Sequence, residues 1–216
     1  MIEQLLFIPV LIFSIVVHEC AHGIAALRAG DPTAKLMGRI TLNPLPHIDP
    51  IGSILLPGLL ILTNSSFLFG WAKPVPVNPA NFRDRRRDEI RVSFAGPFSN
   101  LVLSLLFLLL TILIILLYKF LGLPDSSLRL YYSVLRSGII INLVLAFFNL
   151  IPVPPLDGSH ILENLLPYSY RQFFYAIRPY GFFILLLIIM TPLANLFFWP
   201  VRVLWGLYSS IIGLFL

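Results

Sequence analysis

His18-Glu19-Cys20-Ala21-His22 places two imidazoles four residues apart, with a carboxylate beside the first. On a helix, positions i and i+4 lie one turn apart on the same face. Both imidazoles can then reach one metal ion at the about 2.0–2.1 Å usual for zinc–nitrogen bonds. The glutamate after the first histidine can face a water polarised by that ion and take its proton. His18 and His22 are therefore candidate metal ligands, and Glu19 is a candidate general base. The bland alternative is a polar packing patch or a proton path. Ionisable groups inside an apolar helix are costly and usually functional, which favours the metal reading.

Two imidazoles do not close a catalytic zinc site, which commonly uses three protein ligands and a water. The remaining histidines, His47 and His160, read as polar loop residues near the headgroups. Asp157 is the stronger candidate. It follows Pro152-Val153-Pro154-Pro155-Leu156, where prolines break a helix and expose polar backbone to a wet cavity. Leu-Asp-Gly also suits a plain turn, so both readings of Asp157 stand at this point. Cys20 falls on the helix face away from His18 and reads as packing. As the sole cysteine it excludes an internal disulfide.

The elements that must position these residues are apolar. Of 216 residues, 58% are hydrophobic and 12% charged, against about 25% charged in soluble domains. This excludes a soluble enzyme, a disordered chain and a secreted disulfide scaffold. A membrane span needs about 20 apolar residues. Spans are expected near 5–27, 92–118 and 133–151, with further apolar stretches near 180–198 and 201–216. The fold class is an all-α polytopic membrane protein with four to six transmembrane helices. The run 51–62 holds Pro57 and Gly58 and meets Thr63-Asn64-Ser65-Ser66. Its length suits a re-entrant or interfacial piece better than a span. Other expectations are a short hairpin near 37–42 and an extended proline-rich loop from Gly70 to Pro79. One domain covers 1–216, with a catalytic core near 5–166 and C-terminal accessory helices near 173–216.

Charge sets the orientation. Nine of the 15 lysines and arginines lie within 28–91, and the positive-inside rule places that loop in the cytoplasm. The cluster from Arg83 to Arg91 reads as topogenic and lipid-facing rather than as a nucleic-acid site. With 51–69 re-entrant, loops 28–91 and 152–179 share the cytoplasmic side, and the N-terminus lies outside. His22 and Asp157 then reach similar depth on one side. A full crossing by 51–69 would separate them.

The motif His18–His22, paired with Asn149-Leu150-Ile151-Pro152-Val153-Pro154-Pro155-Leu156-Asp157-Gly158, resembles the site-2 protease family of intramembrane zinc metalloproteases. Gly70–Pro79 and Ala95-Gly96-Pro97-Phe98-Ser99-Asn100 are also similar to motifs of its compact prokaryotic members, those without a PDZ domain. The resemblance spans about 2–166. It implies His18, His22 and Asp157 as ligands of one zinc ion per chain, Glu19 as general base, and Asn149 as donor to the developing oxyanion. It implies a three-helix core in the cell membrane, with the site open toward the cytoplasm. Implied substrates are single-span membrane proteins or remnant signal peptides, cut in regulated intramembrane proteolysis. No PDZ insert, CBS-type tail or additional leading span is expected, which bears on substrate selection rather than chemistry. The competing class is a metal-ion or proton transporter using the same cluster. Against it, the polar residues gather at one end rather than along a path, and no inverted repeat is visible.

Overall fold

Where the sequence is most apolar, the chain forms its longest helices. The computed structural model describes residues 2–63 and 70–216, and every regular element among them is helical. Four helical stretches are long and apolar enough to cross a bilayer: Phe7–Ala29, Arg85–Leu121, Leu128–Asn149 and Arg171–Met190. The protein is an all-α polytopic membrane protein. Helix α1 (Ile2–Ala29) buries Ser14, His18, His22 and Ala26 along one i, i+4 row. It stops at Gly30, whose φ of 110° favours glycine. There Asp31 N–H returns to Ala26 C=O and Gly30 N–H to Leu27 C=O, a Schellman closure. A single turn, α2 (Thr33–Leu36), follows.

The hairpin expected near 37–42 does not form. After a turn at Gly38 the chain runs on without a ladder. Its tie to the neighbouring loop is a side chain: buried Arg39 donates to Lys73 O (2.9 Å) and Pro74 O (3.2 Å). Next, a π-helix (Pro50–Leu55), capped by the Asp49 carboxylate, continues as α3 (Leu56–Leu62). Together they span roughly 20 Å, short of the about 30 Å of hydrocarbon. The chain also comes back to where it left. Trp71 N–H donates to Gly52 O at 3.1 Å, and Ser53 Oγ donates to Trp71 O at 2.8 Å. The re-entrant or interfacial reading of 51–69 falls partly on residues 64–69, which lie outside the described residues.

Helix α4 (Arg85–Leu121) has 37 residues. Its N-terminus carries Arg85, Arg86 and Arg87, where the helix dipole disfavours cations. Two aspartates offset this reciprocally: Asp84 accepts from Arg87 N–H (3.1 Å), and Asp88 accepts from Asp84 N–H (3.0 Å). Its buried row runs Val92, Gly96, Asn100, Ser104, Leu108, Ile115. The small and polar half of that row lets α1 approach closely, as small residues do between membrane helices. Helix α5 (Asp125–Asn149) begins ahead of the expected position 133, because Pro124 sets a helix N-terminus before the apolar run starts. Helices α1, α4 and α5 each pack on the other two.

Pro152, Pro154 and Pro155 then end α5, and α6 (Asp157–Leu165) packs back against α4. A Cβ on Gly158 would overlap the Leu150 carbonyl, so only glycine lets α6 start this close to the end of α5. Beyond lie α7 (Arg171–Ile177), α8 (Gly181–Met190), α9 (Leu193–Phe197) and α10 (Trp199–Gly213). The stretch expected over 180–198 is interrupted at Thr191-Pro192, since proline cannot continue the hydrogen-bond ladder. The fourth stretch long and apolar enough to cross is Arg171–Met190, which begins and ends earlier than the expected one. Helix α10 has 15 residues, or about 22 Å, and buries Val201 and Ile212 against Leu108, Ile115, Ile139 and Leu143.

Candidate metal centre

Helix α1 presents His18 and His22 from consecutive turns, and the proline break delivers Asp157 as the first residue of α6. The two Nε2 atoms are 3.1 Å apart. Asp157 Oδ2 lies 3.2 Å from His18 Nε2 and 3.3 Å from His22 Nε2. Both histidines are buried, and the carboxylate sits at a helix N-terminus, where the dipole favours negative charge.

Hydrogen bonding on the far side of each ring decides what these atoms are. His22 Nδ1 is 2.7 Å from Val92 O, a carbonyl that can only accept, so Nδ1 carries the proton. His18 Nδ1 donates to Asn100 Oδ1 at 2.6 Å. In the neutral rings both Nε2 atoms are then bare lone pairs. Asp157 Oδ2 is buried with no hydrogen-bond partner. Three electron pairs converging on one point in a buried site call for a cation there. The edges of 3.1, 3.2 and 3.3 Å also match one face of a zinc tetrahedron, whose ligand–ligand edges are about 3.3 Å for bonds of 2.0–2.1 Å. The donor set thus fits zinc, with the fourth position left to the cleft.

That cleft has a volume of about 390 Å³ and is lined by His18, Glu19, His22, Val75, Asn149 and Asp157 among others. Glu19 is half-buried, and its Oε2 accepts from Val75 N–H at 2.7 Å. Asn149 ends α5, with Nδ2 donating back to Leu145 O at 2.9 Å. The structure therefore brings His18, His22, Asp157, Glu19 and Asn149 to one cavity. His47 is buried in a short 3-10 turn of the loop, with Nε2 donating to Thr41 O (3.0 Å). His160 lies on α6 rather than in a loop, lining the cleft 3.9 Å from Glu89. Cys20 is buried, its thiol donating to Thr41 O.

Several contributors carry no role in the sequence reading. A Cβ on Gly96 would lie 2.6 Å from His18 Cε1 and Nε2, and closer still to His22 Nε2. Gly96 therefore lets α4 lie against the imidazole pair. Asn100 and Asn142, both fully buried amides within Leu/Ile-rich helices, were visible as isolated polar residues in spans. The Val75 N–H left no side-chain signal at all. The loop that carries it is fastened at both ends. Arg39 holds Lys73 and Pro74, and the buried Asp31 carboxylate accepts from Asn78 N–H (2.7 Å), Asn81 Nδ2 (2.8 Å) and Thr33.

Known proteins are similar to this chain in sequence. The profile of peptidase family M50 matches residues 114–190. YwhC of Bacillus subtilis, which bears the name of a zinc metalloprotease, is 42% identical over 88% of this chain and 82% of its own. Rip2 of Mycolicibacterium smegmatis and Rip2 of Mycobacterium tuberculosis, named likewise, are 30% and 32% identical over 87% of this chain and 67% and 68% of their own lengths. No solved structure matches significantly. With a relative this similar along most of both chains, and a buried donor set that fits zinc, the chain belongs to peptidase family M50, the site-2 protease family of zinc metalloproteases.

Proposed function

We propose that this zinc metalloprotease hydrolyses peptide bonds in or near transmembrane segments of membrane proteins or remnant signal peptides. His18, His22 and Asp157 hold the zinc, Glu19 is the general base, and Asn149 is the oxyanion donor. The observation that carries the reading is the buried Nε2–Nε2–Oδ2 triangle opening onto a cleft that Glu19 lines. When bound, zinc supplies a Lewis acid that polarises the attacking water and the scissile carbonyl. Glu19 takes the proton of that water and returns it to the leaving amine. The Val75 N–H holds one carboxylate oxygen of Glu19, leaving the other to face the cleft. Asn149 Nδ2 spends one hydrogen on Leu145 O and has a second for the oxyanion.

A substrate helix must unwind before its carbonyls can be attacked, because they are internally bonded. The extended loop from Pro74 to Pro79 lines the cleft beside Glu19 and is the surface against which an unwound segment would lie. The basic loop 28–91 on the side of the cleft supports an active site near the cytoplasmic face of the cell membrane.

The test is cleavage of a single-span substrate by purified protein in liposomes, with zinc content measured in parallel. Glu19→Gln should retain zinc and lose cleavage by several orders of magnitude, and a chelator should abolish wild-type cleavage. Cleavage that survives either treatment rejects the mechanism. Metal flux across the liposome wall would favour the transporter instead.

A further inference from the structure

Behind the candidate metal centre, a closed circuit of buried polar groups joins α1, α4 and α5. Asn142 Nδ2 donates to Gly138 O at 2.8 Å and to Ser14 Oγ at 2.9 Å. Asn142 Oδ1 accepts from Asn100 Nδ2 at 2.8 Å, and Asn100 Nδ2 also donates to Ser14 O at 3.2 Å. Asn100 Oδ1 accepts from His18 Nδ1 at 2.6 Å. Ser14 Oγ closes the circuit on Val10 O at 2.8 Å. Ser14, Asn100 and Asn142 are each 0% exposed.

The direction of this circuit is fixed. Gly138 O and Ser14 O are backbone carbonyls and can only accept. Asn142 must therefore turn its NH₂ to Gly138 and its carbonyl to Asn100. Asn100 must in turn present its NH₂ to Asn142 and Ser14, and its carbonyl to His18. Only a His18 ring with the proton on Nδ1 satisfies that carbonyl, and the Nε2 lone pair is then left toward Asp157 and His22. Flipping either amide would bury an unpaired donor against a donor, at a cost of about 1–3 kcal/mol for each group left unsatisfied. In lipid no water relieves that mismatch.

We infer that Asn142, which touches neither the cleft nor the ligand cluster, is a positioning residue that sets the tautomer of His18 through Asn100 and thereby primes the site for zinc. The inference rests on His18 being a ligand. Outer partners of metal-bound histidines typically change metal affinity by about 10- to 100-fold. Ser14 serves the same end from α1, because its hydroxyl and carbonyl bind both amides on the same helix that carries His18. The circuit thereby couples the correct stacking of three helices to a competent ligand.

The experiment compares wild type, Asn142→Leu and Asn142→Asp, purified in detergent. Zinc affinity is read by chelator competition. In metal-free protein, histidine nitrogen NMR reads the tautomer of His18, and thermal unfolding reports the fold. Asn142→Asp in its neutral form keeps a carbonyl for Asn100 and a hydroxyl for Gly138 O. It should hold zinc within a few-fold of wild type with His18 protonated on Nδ1. Asn142→Leu should bind zinc about 10- to 100-fold more weakly and show a mixed His18 tautomer. Wild-type affinity and an unmixed tautomer in a folded Asn142→Leu would overturn the proposal. If that variant does not fold, Asn142→Ala, which also removes the carbonyl that faces Asn100, is read in the same way: wild-type affinity with an unmixed tautomer in folded protein overturns the proposal, and weakened zinc with a mixed tautomer upholds it. If His18→Ala leaves wild-type zinc binding intact, the ligand reading fails instead, which keeps the two failures apart.

Discussion

Val75 N–H lies 2.7 Å from Glu19 Oε2, across 56 residues of chain. A backbone donor on a carboxylate forms a charge-assisted bond, worth about 1.5–3 kcal/mol, and fixes one oxygen of the proposed base. The donor sits between Pro74 and Pro76, and proline at 75 removes its N–H. Val75→Pro should keep zinc and lower turnover by roughly tenfold or more. Cleavage rates and zinc content measured on one preparation check this. Unchanged turnover would mean that Glu19 needs no such anchor.

Gly96→Ala tests how closely α4 must lie on the imidazole pair. Alanine is the better helix former by about 1 kcal/mol, and in an open helix the change would stabilise. Here the added Cβ would lie 2.6 Å from His18 Nε2. Both rings are pinned from behind by Asn100 and Val92 O, so they cannot swing away without breaking those bonds. Overpacking typically costs about 1–3 kcal/mol, so the clash outweighs the propensity gain. The expected outcome is at least tenfold weaker zinc retention against a chelator, with helical content preserved.

How much of this was legible follows from where each signal resides. The candidate metal cluster was readable because His18, Glu19 and His22 show their spacing on one helix. Asp157 was reachable because three prolines mark where a helix must break. The fourth candidate span overlaps the stretch read near 180–198 but has earlier bounds, since hydropathy averages across Thr191-Pro192 and discounts the aromatic turn around Tyr170–Tyr175. The hairpin near 37–42 failed because sequence shows neither that Arg39 turns inward nor which carbonyls it meets. Val75 was beyond reach altogether. A backbone N–H looks the same at every residue, and only the fold says which carboxylate it faces.

Asp31 offers a pH test of the loop anchor, and it stands outside the membrane-spanning helices. Burial alone would raise its carboxyl, but hydrogen bonds from Thr33, Asn78 and Asn81 outweigh that and hold it below the usual carboxylate range. A carboxyl depressed in the folded state adds stability that is fully present above its unfolded pKa of about 3.9. That stability is lost as pH falls through the lower folded value. Asp31→Asn should therefore be less stable than wild type at pH 7, and the gap should close as the pH drops below about 4. Thermal unfolding of both proteins in detergent, across pH, measures it. The proposed zinc ligands are common to both, so the difference isolates Asp31. A gap that stays constant with pH would show that the anchor does not depend on charge.

The arginine cluster yields the last prediction, because one member does more than set orientation. Arg86 Nε donates to Asn164 O, and Arg86 Nη2 donates to Leu165 O at 3.0 Å. Those carbonyls end α6, a nine-residue helix whose first residue is Asp157. A cation at a helix C-terminus satisfies open carbonyls and complements the dipole. Arg86 thus clamps the far end of the element that presents the carboxylate, and links the start of α4 to the candidate metal site. Arg85 is exposed beside it and supplies a control of equal charge. Arg86→Gln should lose about 1 kcal/mol of stability, an amount suited to an exposed charged contact, and should release zinc several-fold faster. Arg85→Gln should change neither. Chelator-driven zinc release from the two variants decides the matter. Equal behaviour would return Arg86 to a purely topogenic role.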